Sequence, residues 1–255
     1  MSKLAGVVLK PVRTVGIFFF AVLFALVLPQ SLRGQSATFT VSQLGKQVGR
    51  ASFNFATTPD GFDSSSTVRV SMKGLEYAFS KTEQLSAANE LKHVQLSAVV
   101  NGSAVNIVGA PDSSQFLLNV SANGRSSAVR LDAHPGAVFT PDFDPGALET
   151  LIVLGVSRNN RDLWVISPKQ SGNQAASISQ VQLATYSDEQ GTLNGQPITV
   201  HHLVATIAGA TTDLFAGPEN QLLQAELPQQ GFALIRTGFV LKPPAKPQAA
   251  PAPAN

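Results

Sequence analysis

Three Asn-Gly dipeptides, each flanked by alternating apolar and polar residues, constrain the fold of this chain more than any other feature. They lie at positions 101–102, 123–124 and 194–195. Both central residues of a type I′ turn have positive φ angles, which asparagine and glycine tolerate best, so Asn-Gly is the strongest short signal of a β-hairpin. We therefore expect a chain that folds back on itself repeatedly as antiparallel strands.

The residues around the first two turns specify the register of their hairpins. Two-residue loops place Leu96 opposite Ile107 in the first hairpin and Leu118 opposite Val129 in the second. A slip of one residue would move these apolar side chains to the solvent face, so the pattern itself sets the pairing.

The third hairpin has a looser pattern. Its two-residue loop predicts that Val204 lies opposite Thr185. Because successive strand residues point to opposite faces, His202 should share the face of Val200, while His201 points to the other side.

One segment has helical spacing instead. Apolar residues recur at three- and four-residue intervals after Asp144 and Pro145, which suit the N-cap and the first helical position. We expect a helix over residues 145–156. The fold class that follows is mainly β (α+β), a single curved antiparallel sheet or open half-barrel with one helix covering one face.

The first 34 residues have the composition of a secretory signal peptide. Basic residues and no acidic residue flank an apolar run at 17–28 (IFFFAVLFALVL), and small residues follow. A helix of this run spans about 18 Å, less than the roughly 30 Å hydrocarbon core of a bilayer. We expect export to the periplasm or the extracellular space, with membrane contact only through this segment. The alternative is an uncleaved anchor in the inner membrane.

The signal peptide dominates the charge of the precursor. The full chain has 18 Lys and Arg against 16 Asp and Glu, and four of the basic residues lie within the first 34. The rest of the chain therefore has 14 basic and 16 acidic residues. Its Lys and Arg are scattered singly, without a basic patch interleaved with aromatic residues, which excludes a nucleic-acid-binding protein.

Three regions are predicted along the chain: the signal peptide (1–34), one antiparallel β domain (38–241) and a Pro/Ala-rich tail (242–255). The tail contains five prolines and no bulky apolar side chain, so it should be extended and solvated.

The sequence contains no recognisable catalytic or cofactor-binding motif. There is no G-x-S-x-G, H-E-x-x-H, P-loop or G-x-G-x-x-G, and the absence of cysteine excludes thiolate metal sites and disulfides. Asp132 and His134 would project to the same side of a strand and could form part of a metal site, but a strand ending in a polar loop explains them as well. We predict no metal, no cofactor and no enzymatic activity, with a β-scaffold hydrolase that uses His134 or His202 as the weaker alternative.

The last third of the chain carries a resemblance. The segments 163–168 (LWVISP), 191–197 (GTLNGQP), 213–215 (DLF) and 222–232 (LLQAELPQQGF) resemble bacterial exported β proteins with a domain of unknown function. The resemblance implies a curved antiparallel sheet around a helix or cleft, like the half-barrel of periplasmic lipoprotein carriers. Its motifs imply no catalytic residue.

These observations favour a non-enzymatic envelope protein that binds a lipid or another apolar ligand on the concave face of its sheet. The alternative is a structural or assembly factor that binds a protein partner through edge strands and the tail. The candidate ligand-binding residues are the large side chains expected on the inner face: Phe53, Phe55, Val70, Met72, Phe116, Leu118, Leu151, Trp164 and His202.

Overall fold

Alternating residues form strands along most of the chain, with one side of the sheet buried and the other facing solvent. A computed structural model describes residues 35–169 and 176–243. The predicted signal peptide lies outside these residues, as does the predicted tail apart from its first two positions.

Seventeen strands and one helix form within the described residues. In chain order the strands are β1 (Gln35–Gln43), β2 (Lys46–Thr58), β3 (Gly61–Met72), β4 (Leu75–Ser86), β5 (Leu91–Val100), β6 (Ser103–Asp112), β7 (Gln115–Ala122), β8 (Arg125–Asp132), β9 (Ala137–Phe139), β10 (Leu163–Pro168), β11 (Ala176–Thr185), β12 (Glu189–Leu193), β13 (Gln196–Ile207), β14 (Ala210–Ala216), β15 (Leu222–Leu227), β16 (Phe232–Arg236) and β17 (Phe239–Leu241). The helix α1 (Pro145–Ser157) lies between β9 and β10 in the chain.

The strands form one large, open, mixed sheet. Strands β1 to β8 pair antiparallel in chain order. Strand β1 also pairs with β16, and the sheet continues through β15, β14, β13, β11 and β10 to β9. Only the pair β9–β10 is parallel, and the short strands β12 and β17 extend from β13. The predicted mainly β class with a single helix is confirmed for the described chain.

The first two hairpins have the predicted register. Leu96 pairs with Ile107, and Leu118 pairs with Val129. Asn101 and Asn123 have the positive φ angles that a type I′ turn requires. Here local turn chemistry and the burial pattern agree, so the sequence sufficed to set the pairing.

The predicted register of the third hairpin is wrong beyond its tip. Val204 pairs with Ala184, and Thr185 pairs with Leu203. The predicted pairing holds only near the turn, where Glu189 pairs with Val200. The chain leaves the ladder between β11 and β12, and this interruption shifts the register by one residue. Leu203 and Ala205 face the main core, so the main core lies on the opposite face of β13 from the one predicted.

Helix α1 lies within the curve of the sheet. Asp144 caps it with its Oδ1 atom, and its bounds match the predicted helix to within one residue. Every residue from Pro145 to Gly155 is buried, and α1 contacts β2, β3, β9, β10 and β15. Because α1 is mostly apolar and buried on all sides, it fills the inner space as well as covering one face.

Two further features concern surfaces of the described chain. No helix among residues 35–169 and 176–243 has the length and hydropathy to cross a membrane. Strand β8 is largely exposed and pairs along one side only, with β7. Binding of a protein partner through such an edge stays a prediction.

Candidate functional site

The nine residues predicted to bind a ligand fall into two groups. Phe53, Phe55, Val70, Phe116, Leu118 and Leu151 are buried in one continuous core, against which Met72 and Trp164 pack. His202 is half-buried elsewhere, with its ring stacked on Phe215 at 4.7 Å. The structure therefore brings eight of the nine together, in the space that α1 fills.

A groove of about 880 Å³ lies on the sheet at strands β2 to β5. We call it the arginine groove. Its lining residues are Gln47, Val48, Gly49, Arg50, Arg69, Val70, Ser71, Glu76, Tyr77, Ala78 and Val99. Of the nine predicted residues, Val70 alone contributes to this lining. Ligand pockets typically enclose about 300–1,000 Å³, so the groove is large enough for a small amphipathic molecule.

The register of β2 and β3 sets two cations side by side in this groove. Arg50 pairs with Arg69 across the two strands, and both side chains are exposed. The strands approach closely here: a Cβ atom on Gly49 would lie 2.2 Å from the carbonyl oxygen of Arg69. Glycine at position 49 thus permits the close approach of β2 and β3 beside the pair Arg50–Arg69.

The arginine pair forms no ion pair with a carboxylate among the described residues. Neither Arg50 nor Arg69 takes part in any of the ion pairs of the described chain. Glu76 also lines the groove and accepts a hydrogen bond from the Ser71 hydroxyl at 2.5 Å, so the groove holds one negative charge against two positive ones. Like charges directly opposite each other destabilise a sheet, so the pair is a candidate site for an anion.

Apolar side chains form the other part of the groove. Val48 and Val99 line it, and Val99 is 45% exposed, whereas Val70 and Tyr77 also border the groove but are buried in the main core. An exposed valine beside two guanidinium groups gives a surface with both apolar and cationic character. This combination fits a molecule with an anionic group and a hydrocarbon part.

A second recess of about 490 Å³ is lined mainly by residues of β1, β2, β12 and β16. A third, of about 470 Å³, is lined mainly by residues of β1, β2 and β3. Arg50 and Arg69 line the third recess as well as the arginine groove. Its remaining surface includes the hydroxyls of Ser52 and Thr67, which are 2.8 Å apart. The two guanidinium groups therefore lie between an apolar and a hydroxyl-rich surface.

His202 lies between two carboxylates. Its Nε2 atom is 2.9 Å from Asp213 Oδ1, and its Nδ1 atom is 3.4 Å from Glu189 Oε1. His202 and Val200 share a face, as predicted, but it is the face covered by β12 and β17 and not the main core. The site could orient an imidazole, as the weaker hydrolase hypothesis requires.

His134 has a different environment. Its ring stacks on Trp164 with centroids 3.6 Å apart, beside a small pocket of about 200 Å³ that Asp132 also lines. Within residues 35–169 and 176–243, no three His, Cys, Asp or Glu side chains gather in a geometry that could hold a metal ion. The stacking of His134 on Trp164 accounts for its position without a metal.

Sequence reasoning missed the charged residues inside the sheet. Lys81 and Glu83 on β4 are buried, as is Asp144 at the start of α1. Lys81 Nζ is 2.5 Å from Asp144 Oδ2 and 2.9 Å from Glu83 Oε2. The sequence contained a signal for this: Tyr77 and Phe79 point to the inner face, and continuing the alternation from Phe79 places positions 81 and 83 on the same face.

Glu149 is a further buried acid, on the helix itself. Its Oε2 atom accepts a hydrogen bond from the Leu222 amide at 2.9 Å, and its Oε1 atom contacts the Gln35 side chain. Burial raises the pKa of Glu149 to about 8, although the Leu222 amide and the charge of Arg236 oppose this shift.

The arginine pair also had a sequence signal. The residue types of Thr58-Pro59-Asp60-Gly61 predict a turn, and the structure pairs Thr58 with Gly61. Counting back from that pair places position 50 opposite position 69. The register that this turn sets for β2 and β3 would therefore have identified the pair.

The comparisons with known proteins concern the fold. The sequence matches no protein-family model and no curated protein. The chain is similar to the crystal structure of a DUF1089 family protein from Pseudomonas aeruginosa, with 10% sequence identity and a TM-score of 0.44. The similarity covers 71% of this chain and 90% of that one. It is a likeness to a bacterial domain of unknown function.

Proposed function

We propose that this protein is an exported, non-enzymatic binding protein of the cell envelope, and that its ligand is an amphipathic molecule with an anionic group and a hydrocarbon part. The ligand lies in the arginine groove, not in the interior of the sheet. Export rests on the signal-peptide composition of residues 1–34.

The observation that carries this proposal is the pair Arg50–Arg69, which forms no ion pair among the described residues, in a groove that is partly apolar. A phosphate or carboxylate bound between the two guanidinium groups would relieve their repulsion and accept charge-assisted hydrogen bonds. Val48 and Val99 provide the apolar surface for the hydrocarbon part. The hydrocarbon part of this ligand class agrees with the apolar ligand predicted from the sequence. The proposed position differs from the predicted one, because α1 and its neighbours fill the interior of the sheet.

The test compares an anionic probe with an uncharged one. Lysophosphatidylglycerol and monoacylglycerol with the same acyl chain are titrated below their micellar concentrations by isothermal calorimetry. We expect the anionic probe to bind more tightly. We expect Arg50→Gln and Arg69→Gln each to weaken its binding by about tenfold, because a charged hydrogen bond contributes about 1.5–3 kcal/mol.

The matched control is Arg125→Gln, which removes an exposed arginine from β8, outside the groove. This variant should bind both probes like the wild type. Equal binding of the anionic probe to the wild type and to the Arg50→Gln/Arg69→Gln variant would reject the proposal. So would equal affinity of the wild type for both probes.

A further inference from the structure

Three ionisable side chains meet in the core, away from the arginine groove. The side chains of Lys81 and Asp144 have no exposed surface, and that of Glu83 is 2% exposed. Lys81 Nζ contacts both carboxylates, at 2.5 Å to Asp144 and 2.9 Å to Glu83. It also donates a hydrogen bond to the carbonyl oxygen of Phe139 at 3.3 Å.

The triad is enclosed by buried residues of both neighbouring strands. On β5, Leu96 pairs with Lys81 and Val94 pairs with Glu83, and on β3 two buried serines, Ser66 and Ser64, pair with the same two residues. If all three groups were ionised, the core would hold a net negative charge, which is costly in a medium of low dielectric constant. Burial raises the pKa of Glu83, although the charge of Lys81 opposes this shift, so the Glu83 carboxylate accepts a proton more readily than an exposed glutamate does.

The carboxyl group of Asp144 is also polarised by the backbone. Its Oδ1 atom accepts hydrogen bonds from the amides of Gly146 at 3.0 Å and Ala147 at 3.3 Å. These two N–H groups belong to the first turn of α1 and point at one oxygen, while Lys81 Nζ contacts the other. Paired amides on a carbonyl oxygen are the arrangement that stabilises the oxyanion of a tetrahedral intermediate.

We propose that Lys81 and Asp144 become joined by an intramolecular amide bond, with Glu83 carrying protons between them. The modification would be autocatalytic and would connect β4 covalently to the N-cap of α1. An amine held against a carboxyl group in a dry site has the proximity that makes such a condensation effectively unimolecular.

The atoms of the step balance without any other reactant. The Lys81 ammonium gives one proton to Asp144 Oδ2, which leaves a neutral amine against a carboxylic acid. The Nζ lone pair attacks Cγ of Asp144, so the Nζ–Cγ bond forms while the electrons of the carbonyl move to Oδ1, and Nζ then gives a second proton to the Glu83 carboxylate. Glu83 returns its proton to Oδ2, which leaves as water when the Cγ–Oδ2 bond breaks. One ammonium and one carboxylate thus become one neutral amide and one water.

The amide product can keep the hydrogen bonds that the Asp144 carboxyl group makes. The Oδ1 atom becomes the amide oxygen and can still accept the hydrogen bonds of Gly146 and Ala147, so the helix keeps its cap. The charges of Lys81 and Asp144 disappear from the core, which removes the cost of burying them.

Tryptic mapping of the purified full chain after denaturation tests the proposal. Trypsin cannot cleave after an acylated lysine, so residues 74–92 should stay uncleaved at Lys81 and remain attached to residues 131–158. The expected branched peptide has the summed mass of the two peptides less one water. Recovery of the linear peptide 74–81 in full yield from the wild type would overturn the proposal.

Two variants separate the roles of the residues. Lys81→Arg keeps a positive charge but removes the amine, so it should give no branched peptide. Glu83→Gln keeps the shape but carries no proton between the two groups, so it should lower the branched fraction by at least tenfold. Lys92→Arg, on the neighbouring strand β5, is the matched control and should leave the cross-link intact. The wild-type digest decides the matter even if a core variant fails to fold.

Discussion

At the scale of single residues, Arg50 and Arg69 should favour ligand binding but lower the stability of the free protein. Because like charges lie opposite each other on β2 and β3, replacing one should stabilise the free protein. We expect Arg69→Gln to raise the free energy of unfolding by about 0.2–1 kcal/mol at low salt, and the gain to shrink as salt screens the repulsion. Urea denaturation at two ionic strengths measures this change, with Arg125→Gln as the control. A loss of stability in Arg69→Gln would show that the guanidinium is a structural group.

Glu149 gives the protein a predictable dependence on pH. Its ordinary pKa is 4.5, and burial raises the pKa to about 8 in the folded state. The folded protein therefore keeps a proton that the unfolded chain loses between these values. The free energy of unfolding should fall as pH rises through this window, by up to about 1.4 kcal/mol per pH unit.

Glu149→Gln should remove this part of the pH dependence. The amide stays neutral at every pH and its oxygen can accept from the Leu222 amide, so it imitates the protonated acid. We expect the variant to match the wild type near pH 4 and to be more stable at pH 9. Urea denaturation across the range measures both, and parallel curves for the two proteins would contradict the assignment.

At the scale of elements, the fit of α1 against β2 and β3 leaves no space for added atoms. A Cβ atom on Gly146 would lie 2.7 Å from Ser66 Oγ and 3.1 Å from Phe53 Cβ. We expect Gly146→Ala to cost about 1–3 kcal/mol through overpacking, despite the better helix propensity of alanine. Val156→Ala, at an exposed position of the same helix, should change stability little. Thermal unfolding of the two variants compares them, and a stabilised Gly146→Ala would show that the packing is looser than described.

The elements also show where prediction from the sequence succeeds. Helix α1 and the first two hairpins were predictable because their signals are local: a cap and proline at Asp144 and Pro145, and Asn-Gly turns within alternating strands. The register of β11 against β13 was not, because the interruption before β12 has no clear local signature. The candidate site depends on pairing across β2 and β3, so a pattern along one strand did not reveal it.

At the scale of the whole molecule, the sheet has an occupied interior and an open groove. Helix α1 and the aromatic residues of β2 fill the inner space, where the sequence predicted a ligand. The arginine groove lies on strands whose inner residues are core, so its shape depends on a rigid scaffold. A scaffold of this kind binds with little loss of conformational entropy, which favours affinity.

The central claim is that an anionic amphipathic molecule occupies the arginine groove. Native mass spectrometry of the protein purified without detergent from an envelope fraction tests it most directly. We predict an added mass on the wild type that organic extraction removes, that persists in Arg125→Gln and that is absent from the Arg50→Gln/Arg69→Gln variant. A wild type that carries no added mass, or an added mass that the double variant retains, would contradict the account.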